Sequence, residues 1–119
     1  MTIWKAGSLE ITVNNKSYFI HMLNNKVNVA IQLLPKVNPD EVYPQVDKAI
    51  AIIKESGVTY KVCPFETVME GDYDEIMKIV KTIQETCLNN GAEETLVYLK
   101  IQAGNNKDIL ISDKTGNYE

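Results

Sequence analysis

The chain has 119 residues, of which 45% are hydrophobic and 24% are charged, and this length supports one domain with one buried core. Twelve basic residues, all of them lysines, stand against sixteen acidic ones, so the net charge is −4. Because arginine is absent, chemistry that depends on a bidentate guanidinium clamp is excluded. The acidic balance argues against nucleic acid as a partner, since phosphates demand a basic surface.

The cysteine and histidine content argues against a metal or redox site. Cys63 and Cys87 stand in no CxxC pattern, and His21 is the one histidine of the chain. Two isolated thiols in a small acidic domain predict a reduced, cytoplasmic protein. We also expect no membrane association, because no apolar run approaches the roughly 18 residues of a membrane span and the N-terminus has no signal-peptide pattern.

The first 26 residues differ in charge from the remainder. They carry three lysines and one acidic residue, which gives a net charge of +2. Residues 27–119 carry nine lysines and fifteen acidic residues, which gives a net charge of −6. Two alternating apolar runs, 9–13 and 18–22, flank the polar residues 14–17, which predicts a β-hairpin with a four-residue loop. The alternative is that this segment is a non-native extension and that Met22 is the functional start.

Residues 27–34 alternate between apolar and polar positions, so they predict a strand that Pro35 ends. Asn38-Pro39 then predicts the start of a helix, and Gly57 predicts its left-handed end. Pro44 lies too deep for an undisturbed first turn, so we expect a distorted or delayed helix start. The helix has one apolar stripe, formed by Val42, Val46, Ile50 and Ile53.

The second half of the chain repeats this alternation of strand and helix. Residues 58–63 and 67–70 predict two strands joined by a tight corner, and Asp72 with Glu75 predicts a capping box. A helix follows, and 95–103 predict a fourth strand. Within the polar tail, 109–111 predict a short extra strand. The apolar stripe of the second helix is Ile76, Val80, Ile83 and Cys87.

The order strand, helix, strand, strand, helix, strand predicts a ferredoxin-like α/β (α+β) sandwich. Both helices have one apolar face, so they should cover one side of a four-stranded antiparallel sheet. We therefore divide the chain into an N-terminal extension at 1–26, a ferredoxin-like domain at 27–103 and a C-terminal tail at 104–119.

The other side of this sheet, which we call the open face, is predicted to mix apolar and polar side chains. A surface that carries Phe, Met, Leu and Tyr rarely stays in water, so we expect an oligomer interface, a ligand site, or both. By alternation its residues are Ala30, Gln32, Leu34, Thr59, Lys61, Cys63, Phe65, Thr67, Met69, Tyr98, Lys100 and Gln102. Glu66 and Glu70 leave open a third alternative, a hydrolase with a carboxylate pair.

The stretch from Thr59 to Ile76 resembles the small thiamine-binding protein family, the YkoF-like ferredoxin-fold proteins. Pro64, Thr67 and the Glu70-Gly71 pair, followed by an acidic helix start, carry the resemblance. The order of elements over 27–103 agrees with it.

The resemblance implies a non-catalytic protein that binds thiamine or its hydroxymethylpyrimidine part and forms a homo-oligomer, in which dimers pair into tetramers. It implies no cofactor. An acidic protein would suit the thiazolium cation, whereas Lys61 and Lys100 would suit a phosphorylated ligand. The residues that we expect to bind the ligand through hydrogen bonds, stacking or charge are Gln32, Phe65, Thr67, Glu70, Tyr98 and Lys100. The alternative is an interaction protein whose open face serves only assembly.

Overall fold

The computed structural model contains two antiparallel sheets. It describes residues 2–5, 8–21 and 23–118. The first sheet has three strands in the order β1-β2-β3. Its strands are β1 (Thr2–Lys5), β2 (Ser8–Val13) and β3 (Lys16–His21).

The predicted N-terminal hairpin is confirmed, with a shorter loop than expected. Asn14 and Asn15 form a two-residue turn with φ values of 52° and 63°, which is the left-handed geometry that tight hairpins use. Lys16 and Ser17 therefore belong to β3 and pair with β2. The sequence analysis did not predict β1, and its suggested start at Met22 lies outside the described residues.

The second sheet confirms the predicted ferredoxin-like fold. Its four strands follow the order β5-β6-β4-β7, and each neighbouring pair is antiparallel. The bounds are β4 (Val27–Pro35), α1 (Val42–Ser56), β5 (Thr59–Val62), β6 (Thr67–Gly71), α2 (Tyr73–Asn89), β7 (Thr95–Gln102) and α3 (Ile111–Thr115).

The delayed start of α1 is confirmed. A 3₁₀ turn at Pro39–Glu41 precedes the α-helix, so Pro44 becomes the third helical residue, where the N–H has no intrahelical partner to lose. The Asn38 side chain makes no capping hydrogen bond. At the other end Gly57 adopts φ 83°, the left-handed conformation that glycine allows.

The start of α2 follows the predicted capping geometry, since Asp72 Oδ2 accepts a hydrogen bond of 3.0 Å from the Glu75 N–H. Both long helices press their apolar stripes onto one side of the sheet, where they bury the core. The buried core residues are Val27, Val29, Ile31, Ala49, Ile53, Met69, Ile76, Ile79, Val80 and Ile83.

The predicted faces of Thr67 and Met69 are wrong. Val62 pairs directly with Thr67, and directly opposite residues lie on the same face of a sheet. Thr67 and Met69 therefore point toward the helices, and Met69 is 0% exposed. Four residues, 63–66, separate Val62 from Thr67. The prediction continued the alternation of β5 through this loop into β6, and an error of one residue in register moves every side chain of a strand to the other face. Val68 and Glu70 take their place on the open face.

The predicted short strand at 109–111 is also wrong. Ile109 is buried, and its N–H donates to the Lys26 carbonyl over 2.9 Å. The chain then turns into the short helix α3 (Ile111–Thr115). The three apolar residues of the tail thus dock the C-terminus against the domain instead of adding to the sheet.

Candidate functional site

The C-terminal segment covers one end of the open face. Asn28 and Ala30 of β4 alternate with the core residues Val29 and Ile31, so they lie on the side away from the helices. Both are nonetheless buried, with Asn28 only 4% exposed. Residues 109–115 lie over them and form a roof above this end of the sheet, as their hydrogen bonds to Asn28 show.

Asn28 is the central polar residue beneath this roof. Its Nδ2 donates to the Ile109 carbonyl over 2.8 Å, and its Oδ1 accepts from Lys114 Nζ over 2.8 Å. From β6, Glu70 Oε1 accepts a hydrogen bond of 2.6 Å from the Ile111 N–H. Because buried polar groups need partners, these bonds hold α3 in one position on the sheet.

Asp108 is the residue that directly precedes the roof segment 109–115. Its Oδ1 accepts from the Lys26 N–H over 2.8 Å and from Asn25 Nδ2 over 3.0 Å. These two hydrogen bonds, with the nearby Lys26 charge, lower the pKa of the Asp108 carboxyl below its ordinary value. The carboxylate therefore ties the start of β4 to the C-terminal segment.

A cavity of about 410 Å³ lies between α3 and the open face, within the range of small-molecule sites. Apolar walls and a few converging polar groups form it. Its lining residues are Asn28, Ala30, Lys61, Cys63, Glu66, Val68, Lys100, Ile101, Gln102, Ile111, Lys114 and Thr115.

An ion pair forms one border of this cavity. Lys100 Nζ of β7 lies 2.8 Å from Glu66 Oε1 in the loop before β6. Both residues also line an adjoining groove with Gln32, Phe65 and Tyr98. Phe65 is 83% exposed and Tyr98 is 56% exposed, so both rings are accessible for stacking on a flat ligand.

The structure brings four of the six sequence-predicted ligand residues into this groove: Gln32, Phe65, Tyr98 and Lys100. The other two lie elsewhere. Thr67 is buried on the helix side, where it borders a smaller cavity of about 240 Å³ beside α1. Glu70 is on the open face, but it bonds the Ile111 N–H and does not line the roofed cavity.

Sequence reasoning missed most of the roofed cavity. Asn28, Glu66 and Lys114 contribute polar groups to it, and none of them was a predicted ligand residue. Lys114 comes from the tail, and only the apolar run 109–111 in an otherwise polar segment could have indicated that the tail packs on the sheet. Asn28 alternates with the buried Val27 and Val29, so its position on the open face was predictable, whereas its burial was not.

The carboxylates of Glu66 and Glu70, the predicted carboxylate pair, have different partners in the structure. Glu66 pairs with Lys100, and Glu70 binds the backbone at the start of α3. Among the described residues, no group of three or more His, Cys, Asp or Glu side chains is placed to hold a metal ion.

The structure is thus a small ferredoxin-like domain with a cavity whose volume is in the range of small-molecule sites. The chain belongs to the thiamine-binding protein family, whose model matches residues 29–119.

Two UPF0045 proteins are similar to this chain over about three quarters of its length. The chain is 38% identical over 91 residues to a UPF0045 protein of Clostridium perfringens, an alignment that covers 76% of this chain and 95% of the relative. It is 32% identical over 89 residues to a UPF0045 protein of Methanocaldococcus jannaschii, with 75% of this chain and 88% of the relative covered. Neither name specifies a reaction.

Two solved structures share the fold. A Bacillus cereus domain of unknown function, DUF77, has a TM-score of 0.75 at 34% identity, over 80% of this chain and 91% of that one. A Thermotoga maritima protein named as a candidate for thiamine biosynthesis or salvage has a TM-score of 0.73 at 31% identity, over 79% of this chain and 99% of that one. No helix in the described parts of the chain has both the length and the hydropathy of a membrane span.

Proposed function

We propose that this protein binds thiamine or its hydroxymethylpyrimidine part, without catalysis, in the roofed cavity and the adjoining groove. The observations that carry the proposal are the match of residues 29–119 to the thiamine-binding family model and the cavity of about 410 Å³ on the open face of the same domain.

The chemistry of the site suits an aminopyrimidine. Ala30, Val68 and Ile111 provide apolar walls for a flat ring. The carboxylate of Glu66 can accept a hydrogen bond from an exocyclic amino group, and the amide of Gln32 can donate to a ring nitrogen. The exposed rings of Phe65 and Tyr98 offer stacking surfaces, a contact worth about 1–3 kcal/mol for a base on an aromatic side chain.

The proposed site omits Thr67 and Glu70. Thr67 is buried on the opposite side of the sheet, and Glu70 already accepts the Ile111 N–H. Both residues belong to the motif that carries the family resemblance, and both have structural roles here. Thr67 pairs with Val62 across the corner that precedes β6, and Glu70 holds the start of α3 through the Ile111 N–H. Glu66 takes the role of the pyrimidine-binding carboxylate.

We further propose that the protein is a homo-oligomer whose copies meet through this sheet. Leu34 and Leu96 are paired across β4 and β7, and both are exposed on the same face as Phe65 and Tyr98. A contiguous apolar patch of this kind favours contact with another protein surface. A second copy would cover the open side of the groove and shield a bound ring from water.

Titration calorimetry with thiamine and with hydroxymethylpyrimidine tests the binding proposal. We expect heat of binding with the parent protein, and an affinity lowered about tenfold in Tyr98→Ala, since a lost stacking contact of about 1.4 kcal/mol is a factor of ten. Tyr118→Ala is the matched control, because Tyr118 is exposed and lines neither the cavity nor the groove. Absence of heat at millimolar ligand would refute the proposal.

Sedimentation equilibrium separates this function from the alternative of an assembly module. A stable oligomer that also binds the pyrimidine supports the proposal in full. A stable oligomer that binds neither compound favours a face used only for assembly. A monomer at all concentrations contradicts the proposed oligomer and leaves the binding proposal to calorimetry.

A further inference from the structure

The N-terminal sheet, formed by β1, β2 and β3, has an apolar side that stays partly exposed. Ile11 and Tyr18 pair directly across β2 and β3, and Val13 follows two residues after Ile11, so all three share one side of the sheet. Val13 is 50% exposed and Tyr18 is 52% exposed. Thr12 and Ser17 pair with each other on the opposite, polar side. A small sheet is stable only when it buries such an apolar side against another surface.

This sheet projects from the ferredoxin-like domain. Its strands make their extensive contacts with one another. The radius of gyration of the Cα atoms is 17.6 Å and the longest dimension is 56 Å, whereas a compact chain of this length has a radius of gyration of about 13.5 Å. The family model matches only from residue 29 onward, so the sheet is an addition to the part of the chain that the family shares.

The attachment of the sheet keeps it away from the far end of its own open face. The Lys26 N–H donates to Asp108, and the Lys26 carbonyl accepts from the Ile109 N–H, so residues 22–25 connect the sheet to a fixed point beside the roof. Leu34 lies eight residues farther along the extended β4, about 26 Å away at 3.3 Å per residue. A sheet from the same copy would have to cross α3 to reach it.

The far end of the open face carries a surface that complements the apolar side of the N-terminal sheet. Leu34 and Leu96 are paired and exposed there. The exposed Glu94 precedes Leu96 by two residues, which places it on the same side by alternation. In the N-terminal sheet, the exposed Lys16 pairs with Val13 and so accompanies the apolar side. Each surface therefore combines exposed apolar groups with one charge, and the two charges are opposite.

We propose that the apolar side of the N-terminal sheet packs on Leu34 and Leu96 of a second copy of this chain, and that the second copy returns the same contact. The two copies are then related by a two-fold axis and exchange their N-terminal sheets. The proposal rests on the proposed oligomer and identifies the part of the second copy that covers the open face. The exchanged sheet lies next to Tyr98, so it also borders the groove of the other copy.

Sedimentation equilibrium of single variants tests each side of this contact. Val13→Lys and Leu34→Asp place a charge in the proposed interface. We expect each to raise the dimer dissociation constant about a hundredfold, since a tenfold loss occurs at both symmetric contacts. Thr12→Lys is the matched control for Val13→Lys, because Thr12 lies on the polar side of the same strand. It should change the dissociation constant by less than about threefold.

An equimolar mixture of Val13→Lys and Leu34→Asp tests the exchange itself. In the mixed dimer, the unaltered sheet of one copy meets the unaltered open face of the other, and the second contact joins opposite charges. Either variant alone has no unaltered contact, so we expect the mixture to dimerise about tenfold or more tightly than each variant does. This result does not require the N-terminal sheet of Val13→Lys to stay folded, because that copy still offers its open face.

The possible results separate this inference from the proposed function. A dimeric parent, weakened in both variants and recovered in their mixture, supports the exchange. A dissociation constant unchanged in Val13→Lys and raised in Leu34→Asp overturns the inference and leaves the proposed oligomer standing, with open faces that meet directly. Two weakened variants without recovery in the mixture also overturn the exchange. A monomeric parent overturns the inference and the proposed oligomer together, and calorimetry with hydroxymethylpyrimidine tests the ligand proposal independently.

Discussion

Replacement of Asn28 by alanine tests whether the C-terminal roof is held as described. The variant loses the donor to the Ile109 carbonyl and the acceptor of Lys114 Nζ. A hydrogen bond contributes about 0.5–1.5 kcal/mol, and a buried group left without a partner costs about 1–3 kcal/mol. Because Asn28 is 4% exposed, we expect Asn28→Ala to lower the free energy of unfolding by about 2–3 kcal/mol.

Urea denaturation measures this loss, and amide hydrogen exchange locates it. The N–H groups of Ile109 and Ile111 are hydrogen-bonded in the roof, so their exchange should accelerate about tenfold or more in the variant. The exchange rates of amides in α2 should rise only as far as the loss of global stability requires. The exposed Asn105 provides the control variant, Asn105→Ala, which should cost less than about 0.5 kcal/mol.

Two results would refute the reasoning about Asn28. If Asn28→Ala lowers the free energy of unfolding by less than about 0.5 kcal/mol, Asn28 contributes no more than an ordinary surface residue. If the exchange rates at Ile109 and Ile111 are unchanged, other contacts hold the roof.

Three further predictions concern register, thiols and acid. Met69→Ala should lower the free energy of unfolding by about 2–5 kcal/mol and Val68→Ala by less, and the reverse order in urea denaturation would mean that β6 is out of register by one residue. A thiol reagent should modify half-buried Cys63 before Cys87, because burial raises the pKa of the Cys87 thiol; equal rates would contradict this placement. Hydrogen bonds lower the pKa of the Asp108 carboxyl, so the stability that the parent protein has over Asp108→Asn should be fully present at pH 7 and should decline as the pH falls below about 4, where the carboxylate begins to be protonated. A difference that is constant from pH 7 down through this acid range would contradict it.

The sequence predicted the four-stranded sheet and its two long helices because each has a strong local signal. The alternation of 27–34, the stripe of α1 and the Asp72 cap all depend on near neighbours in the chain. The capping bond at Asp72 and the left-handed Gly57 are present as predicted. Elements with this local consistency can be derived from one sequence.

The face of β6 could not be derived from alternation alone. The length of the Cys63–Glu66 corner sets which residues lie opposite each other, and Val62 pairs with Thr67. A strand with Val68 and Met69 in sequence has an apolar residue for either face, so hydrophobicity did not settle the register. Counting the loop residues from the Val62–Thr67 pair would have placed Met69 in the core.

The roofed cavity depends on contacts between distant parts of the chain. Asn28 meets Ile109 and Lys114 across more than eighty residues, and no local pattern predicts such a contact. The same holds for Lys61, Lys100 and Lys114, which the fold gathers at one cavity from three separate parts of the chain.

Chemical-shift mapping with the pyrimidine ligand tests the central claim, that the cavity beneath α3 and its adjoining groove form the ligand site. On addition of hydroxymethylpyrimidine or thiamine, we expect backbone amide shifts to concentrate at Ala30, Val68, Lys100 and Ile111, which line the cavity. Saturable shifts confined to these strands and to α3 are the predicted result. Shifts centred on the cavity beside α1 that Thr67 borders, or no saturable shifts at millimolar ligand, would contradict the account.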